Sequence, residues 1–201
     1  TNGEKVSIYS TEIIEPTEKI SFEALGNRYF YNAESFFQGN LALIESLLKT
    51  AIDDAKGETA LDLYCGVGLF SLPLAKNFAN VISVEANEKA IEFACENAEF
   101  ARLANVEFYA ENVSDWLNEN STQTIDFILL DPPRSGAEKE TIEQILKLNP
   151  ARISYVSCDP ATLARDLRIL VDAYSIQSIT AIDLFPQTHH VETVVRLNRK
   201  S

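Results

Sequence analysis

"TALDLYCGVGLFSLPLAKNF", residues 59–78, decides how the rest of the chain is read. The stretch up to Cys65 reads as a β-strand, and "LFSLPLAKNF" reads as a short helix. Gly66 and Gly68 lie between them and let the backbone turn tightly and approach a ligand closely. A strand that turns through glycines into a helix is how a nucleotide-binding βα unit begins. The third glycine of the full dinucleotide fingerprint is missing, so the turn alone names no ligand. A plain tight connection would use the same residues.

Working outward, strands and helices alternate. After residue 78, "NVISVEA" is a strand and "EKAIEFACENAEFARL" a helix, then "NVEFYA" a strand and "VSDWLNEN" a helix. "IDFILLD", "AEKETIEQILKL", "RISYVSC" and "ATLARDLRILVDA" continue the pattern as strand, helix, strand, helix. Two strands close the chain, "YSIQSITAIDLF" and "VETVVRLN", joined by "PQTHH". That link is too short for a crossover helix, so these two pair antiparallel. The expectation is an α/β fold with a seven-stranded, mostly parallel sheet, covered on both faces and ending in an antiparallel hairpin.

Before the glycine turn, residues 6–31 read as extended, with "VSIYSTEII" and "ISFEALGNRYFY" as β-rich stretches and Gly26-Asn27 as a turn. Leu41, Ile44, Leu47, Leu48, Ala51 and Ile52 have helical spacing, with Asn40 as the expected N-cap. There are no internal repeats.

The 201 residues, 46% of them hydrophobic, suffice for one proper core with an appendage. No apolar run approaches the ~18 residues a membrane span needs, and no charged-then-apolar leader opens the chain. A soluble, cytoplasmic, monomeric protein without a membrane partner is expected. The chain contains no methionine, which points to processing or to a piece of something longer. Three cysteines without a CxxC pair suggest neither a zinc site nor a disulfide framework, and no metal is expected. A net charge of −13 argues against a large nucleic-acid surface on these residues.

Ligands of doubly wound sheets bind at the carboxyl ends of the strands, and that rule collects the candidates. Glu85 ends the second strand about twenty residues after the glycines, where an acid suits ribose hydroxyls; a helix cap is its other reading. Glu111-Asn112 ends the third strand, where Asn112 either meets an adenine edge or caps the next helix. Asp131 ends the fourth, and the two prolines after it stiffen the loop. A glycine turn, a ribose acid and an Asp-Pro-Pro loop, with no phosphate to cradle, favour S-adenosylmethionine over a pyrophosphate cofactor.

The fifth strand delivers Cys158. Taken alone, a free cysteine is a small buried hydrophobe. Its place at the reactive end, beside a helix N-terminus expected to lower its pKa, makes it a candidate nucleophile. Cys65 reads as a small residue fitting the glycine turn, and Cys95 as helix core. The closing link carries His189, His190 and Glu192, the last a candidate base. A thiolate and a base together suit methylation at carbon 5 of uracil, where addition at carbon 6 activates the ring and the base then removes a proton.

On these residues the chain resembles the RNA (uracil-5-)-methyltransferase family. The matching motifs are "SFFQGN" (35–40), "LDLYCGVGLFSLPLA" (61–75), "LLDPPRSG" (129–136), "YVSCDPATLARDL" (155–167) and "FPQTHHVET" (185–193). The resemblance implies a Rossmann-like class I methyltransferase fold. It also implies S-adenosyl-L-methionine as cofactor, with Gln38, Tyr64, Glu85 and Asp131 contacting it and Asn112 as a softer carry-over. Gly66 joins them from the turn itself. Cys158 is implied as the nucleophile, Glu192 as the base, and rRNA or tRNA as the substrate. Gly39 and Gln187 depart from the family pattern. Residues 1–33 resemble the tail of a preceding domain, with 34–201 as the catalytic domain, so the main RNA-gripping surface is expected in absent N-terminal parts.

Two rivals compete. One is exocyclic amino methylation, which uses similar Asp-Pro-Pro loops but needs no cysteine and usually has an aromatic residue where Arg134 stands. The other is a non-catalytic S-adenosylmethionine-binding module.

Overall fold

The computed structural model describes residues 19–33, 35, 37–188 and 190–200. The extended reading of residues 6–14 and the histidine at 189 lie outside them. A short antiparallel hairpin comes first, β1 (Ile20–Ala24) and β2 (Asn27–Tyr31), turning at Gly26 with φ +70°. A single 3₁₀ turn (Leu41–Leu43) then leads into α1 (Ile44–Ile52). Asn40 occupies the cap position without a side-chain cap hydrogen bond, and Leu41 is exposed. The 3₁₀ turn rotates Leu41 off the apolar stripe that its spacing suggested.

The alternating region follows the expectation closely. It runs β3 (Gly57–Leu63), α2 (Ser71–Leu74), β4 (Phe78–Glu85), α3 (Glu88–Phe100), β5 (Val106–Ala110) and α4 (Val113–Glu119). It continues through β6 (Phe127–Leu130), α5 (Lys139–Leu148), β7 (Arg152–Ser157), α6 (Pro160–Leu170), β8 (Tyr174–Ile182) and β9 (Glu192–Arg199). Only α2 is much shorter than its pattern, because residues 69–70 belong to the preceding turn, 75–77 form another, and Phe78 opens β4.

Seven strands form one sheet in the order β5-β4-β3-β6-β7-β9-β8. The first five are parallel, while β9 runs antiparallel to both neighbours, β7 and β8. The last strand thus enters between its predecessor and β7. Side chains alternate across the sheet as a period of two requires. Ala60, Leu129, Val156 and Val194 face a core shared with α1 and α2. Leu61, Leu63, Ile128, Leu130, Tyr155 and Val195 face Trp116, Ile142, Ile145 and Leu163 from α4, α5 and α6. Both faces are therefore covered, with Asp62, Ser83 and Ser154 among the polar side chains buried inside the strands. No described helix is long and apolar enough to cross a membrane.

The hairpin is not loose. Tyr29 is fully buried, and its hydroxyl donates to the Leu69 carbonyl at 3.1 Å. Asn97 of α3 holds the Phe30 backbone from both sides, accepting from its N–H at 2.7 Å and donating to its carbonyl at 3.2 Å.

Candidate active site

At the carboxyl end of β3 the chain turns through Tyr64, Gly66 and Gly68, all with positive φ (+63°, +53°, +84°). A Cβ on Gly66 would meet nothing within 4 Å, so this stretch of turn borders open space. A Cβ on Gly68 would press on Leu72 at 3.1 Å, so the second glycine serves close packing of the turn. Glu85, at the end of β4, secures the turn by accepting from Gly66 N at 3.2 Å. Its other oxygen accepts from Asn87 N at 2.8 Å, and Asn87, not Glu85, caps α3. Asn112 does act as a cap, accepting from Ser114 N at 2.9 Å.

Phe37, Gln38, Tyr64, Gly66, Val67 and Asp131 line one cleft over the turn. Phe37 is held by stacking on Tyr31, with ring centroids 4.0 Å apart. Gln38 is buried, and its Oε1 has no hydrogen-bond donor among the described residues. Asp131 follows β6, and its N–H donates to the Leu63 carbonyl at 3.3 Å. Burial, then the charges of Glu192 and Asp62, push its carboxyl well above the ordinary range.

Asp62 was not singled out from the sequence. It is fully buried in β3, with one oxygen accepting from Ser71 Oγ at 2.5 Å and the other unpartnered among the described residues. Burial pushes it up to about 7, against the Ser71 hydroxyl and with Glu85 adding to the rise. The available signal was an acid inside the apolar run Ala60–Leu63 of a parallel strand.

Cys158 and Glu192 come together across β7 and β9. The ladder's last pair is Ser157↔Thr193, and the next residue on each strand is Cys158 on one side and Glu192 on the other. Glu192 opens β9 rather than standing in the link; it is buried, its Oε1 lacks a partner among the described residues, and burial pushes it up to about 7. The Cys158 thiol is part-exposed and pushed up by burial, then by Glu192 and Asp131, with Arg134 pulling the other way. This corrects the expectation of a lowered pKa. The free N–H groups of α6 are taken by its cap, Asp159, which accepts from Ala161 N at 2.8 Å and Thr162 N at 3.0 Å. Burial outweighs the cap, and the carboxylates of Glu192 and Asp131 add to the rise against Arg134.

Cys65 is buried in the turn as expected, its thiol pushed well up by burial. Cys95 is exposed, not core: it falls on the outward side of α3, one residue after buried Ala94. Of the closing link, Gln187 adopts φ +68°, and the described His190 makes an edge contact with Phe185 at 6.2 Å between ring centroids.

The sheet order, the wedged antiparallel strand and the glycine turn with its acid at the next strand end define the class I S-adenosylmethionine-dependent methyltransferase fold. The chain belongs to the tRNA (uracil-5-)-methyltransferase family, whose model matches residues 2–200. The tRNA (uracil-54, C5)-methyltransferase of Pyrococcus abyssi, solved in complex with S-adenosyl-L-homocysteine, superposes with a TM-score of 0.81 at 36% identity. That match covers 90% of this chain and 44% of the other. A Marinomonas 23S rRNA (uracil(1939)-C(5))-methyltransferase is 42% identical over 189 residues, which is 91% of this chain and 43% of the relative. An uncharacterized RNA methyltransferase of Thermotoga maritima is 43% identical over 81% of this chain and 38% of its own length. The chain thus spans about two fifths of the curated relatives it matches.

Proposed function

We propose that this chain is the catalytic domain of a longer cytoplasmic enzyme that methylates carbon 5 of a specific uridine in rRNA or tRNA. Cys158 serves as covalent nucleophile and Glu192 as base. The observation that carries this reading is the register of β7 and β9, which sets the thiol and a buried carboxylate side by side next to Asp131.

The cleft suits S-adenosylmethionine. Gly66 borders open space, and Gln38, which lines the cleft, offers a buried acceptor oxygen that lacks a donor among the described residues. Such an oxygen matches a ligand bringing ammonium and hydroxyl donors. Gln38, Tyr64, Gly66, Glu85 and Asp131 would hold it, with Asn112 at the end of β5 beyond them. When bound, the cofactor supplies an electrophilic methyl on a sulfonium.

The chain's own residues do the rest. The Cys158 sulfur bonds to carbon 6 of uracil, and the ring's π electrons move toward the carbon 4 oxygen as an enolate, making carbon 5 nucleophilic. After carbon 5 carries the methyl, Glu192 takes its proton. The electron pair of that C–H bond restores the 5,6 double bond, and the carbon–sulfur bond breaks to return the thiolate. A carboxyl titrating near 7 is matched to this task at neutral pH.

The net charge of −13 supports placing the main RNA grip in parts preceding this chain, with residues 1–33 as the end of a preceding domain. RNA bearing 5-fluorouridine at the target tests the mechanism, since fluorine leaves Glu192 no proton to remove. The full-length protein should form an adduct that survives denaturing electrophoresis and vanishes in Cys158→Ala. No adduct with the wild-type protein overturns the covalent mechanism.

A further inference from the structure

We infer that Asp166 and Arg165, on the helix that follows Cys158, are positioning residues. They clamp the loop 131–137 so that the Arg134 side chain stands beside the Cys158 thiol. The catalytic meaning of this clamp rests on Cys158 being the nucleophile; its geometry does not.

Asp166 is buried on α6 and is saturated with donors from three parts of the chain. Its Oδ2 accepts from the Tyr155 hydroxyl of β7 at 2.6 Å and from Ala137 N of the loop at 3.0 Å. Its Oδ1 accepts from Arg165 Nε at 2.7 Å. Arg165 Nη2 then reaches across to the loop, donating to the Ser135 carbonyl at 3.1 Å and the Ala137 carbonyl at 3.0 Å. One turn earlier, Thr162 Oγ1 lies 3.3 Å from the Arg134 carbonyl. The loop lies flat against this clamp. Gly136 has φ +77°, and a Cβ there would sit 2.6 Å from Arg165 Nη2 and 2.7 Å from Asp166 Oδ2.

The loop carrying Asp131 and Arg134 and the loop carrying Cys158 are therefore one rigid piece. The thiol faces Glu192 from β9 and Asp131 and Arg134 from the loop, and Arg134 is the cation among them. A long arginine on a free loop would lose its place to solvent and rotamer entropy. With the backbone at 134–137 pinned, its charge stays where it favours the thiolate. A buried carboxylate costs desolvation that an apolar side chain of similar size would avoid. Its use here is to aim the loop.

The test is the pH dependence of iodoacetamide alkylation at Cys158, followed on its peptide by mass spectrometry, for the parent protein, Arg134→Gln, Arg165→Gln, Arg165→Lys and the Arg134→Gln/Arg165→Gln double variant. Arg165 is half-exposed, so its replacement leaves the core intact. Arg165→Gln and Arg165→Lys should both move the midpoint up, slowing alkylation roughly three- to tenfold below it, as Arg134→Gln does. The double variant should be no slower than Arg134→Gln alone, and S-adenosylhomocysteine affinity by calorimetry should be unchanged.

A parent-like profile in Arg165→Gln overturns the inference. So does rescue by Arg165→Lys, which would mean that charge rather than position matters, or additivity in the double variant. Loss of S-adenosylhomocysteine binding in the Arg165 variants would also overturn it, as general disruption. Failure of the nucleophile reading looks different: no 5-fluorouridine adduct, with the alkylation shifts intact.

Discussion

Asn97, in the last turn of α3, donates through Nδ2 to the Val67 carbonyl at 3.0 Å while its amide also brackets the backbone of Phe30. One buried side chain thus ties the glycine turn to the β1–β2 hairpin. Replacing it by alanine removes the partner of three backbone groups, one buried and two part-buried, a cost of about 2–4 kcal/mol. Asn97→Ala should lower the denaturant midpoint accordingly and weaken S-adenosylhomocysteine binding more than an equally destabilising change in α5. Equal affinity in both variants would show that the hairpin does not support the turn.

Gly66→Ala separates binding from stability. The added Cβ meets nothing in the protein but must be carried at φ +53°, a backbone cost of about 1 kcal/mol. It would also project into the cleft. Calorimetry should therefore show S-adenosylhomocysteine affinity falling by about a hundredfold or more, roughly 2.8 kcal/mol against the roughly 1 kcal/mol lost in unfolding. A parallel loss in both quantities would move the ligand elsewhere.

On the proposed mechanism, Glu192→Gln keeps the nucleophile and removes the proton acceptor. With full-length protein and ordinary uridine RNA, it should form the carbon 6 adduct yet fail to release it, so methylated covalent complex accumulates on denaturing gels. Turnover should fall by roughly two to four orders of magnitude, the usual contribution of a positioned base. Multiple turnover at parental rate would assign proton removal to another group.

The same carboxyl makes the ligand-free protein sensitive to pH. Its value is raised from 4.5 to about 7 by burial, so the folded state holds that proton more tightly than the unfolded chain. The stabilisation is fully present below about pH 4.5 and is lost as pH rises through about 7, up to about 3 kcal/mol. Asp62, also near 7, and Asp131, well raised, act in the same direction. Thermal unfolding at pH 5, 6, 7 and 8 should show the melting temperature falling, and Glu192→Gln should flatten that fall. Identical slopes in the two proteins would mean that Glu192 is not the group responsible.

The alternation of apolar strands with helices made the layered sheet legible, because each element carries its own period. The carboxyl-end rule likewise collected Glu85, Asp131 and Cys158 at one end before any coordinates. What local patterns do not encode is which strands become neighbours. That β9 lies against β7, bringing Glu192 to Cys158, is a choice of partner made by packing. The thiol's direction of shift was missed for the same reason: the helix cap is local, whereas burial of the thiol and the approach of Glu192, 34 positions further along the chain, are set by packing. Cys95 was misplaced because a helix pattern shows where a core face exists, and this residue lies just off it. Asn97 and Asp166 each satisfy groups from distant segments, and nothing in their immediate neighbours announces that.

The wedged position of β9 has a consequence for biosynthesis. A chain emerging from the ribosome can complete β3 to β7 while the outer flank of β7, the strand that leads to Cys158, still has no ladder partner, and β8, which pairs with β9, has none either. That flank is Ile153, Tyr155 and Val156 in an apolar run, a ready template for pairing with another nascent chain. Translation that stops before residue 192 would therefore yield an aggregation-prone product, not a weakened enzyme. The last described strand to be made both completes the candidate active site and shields the sheet.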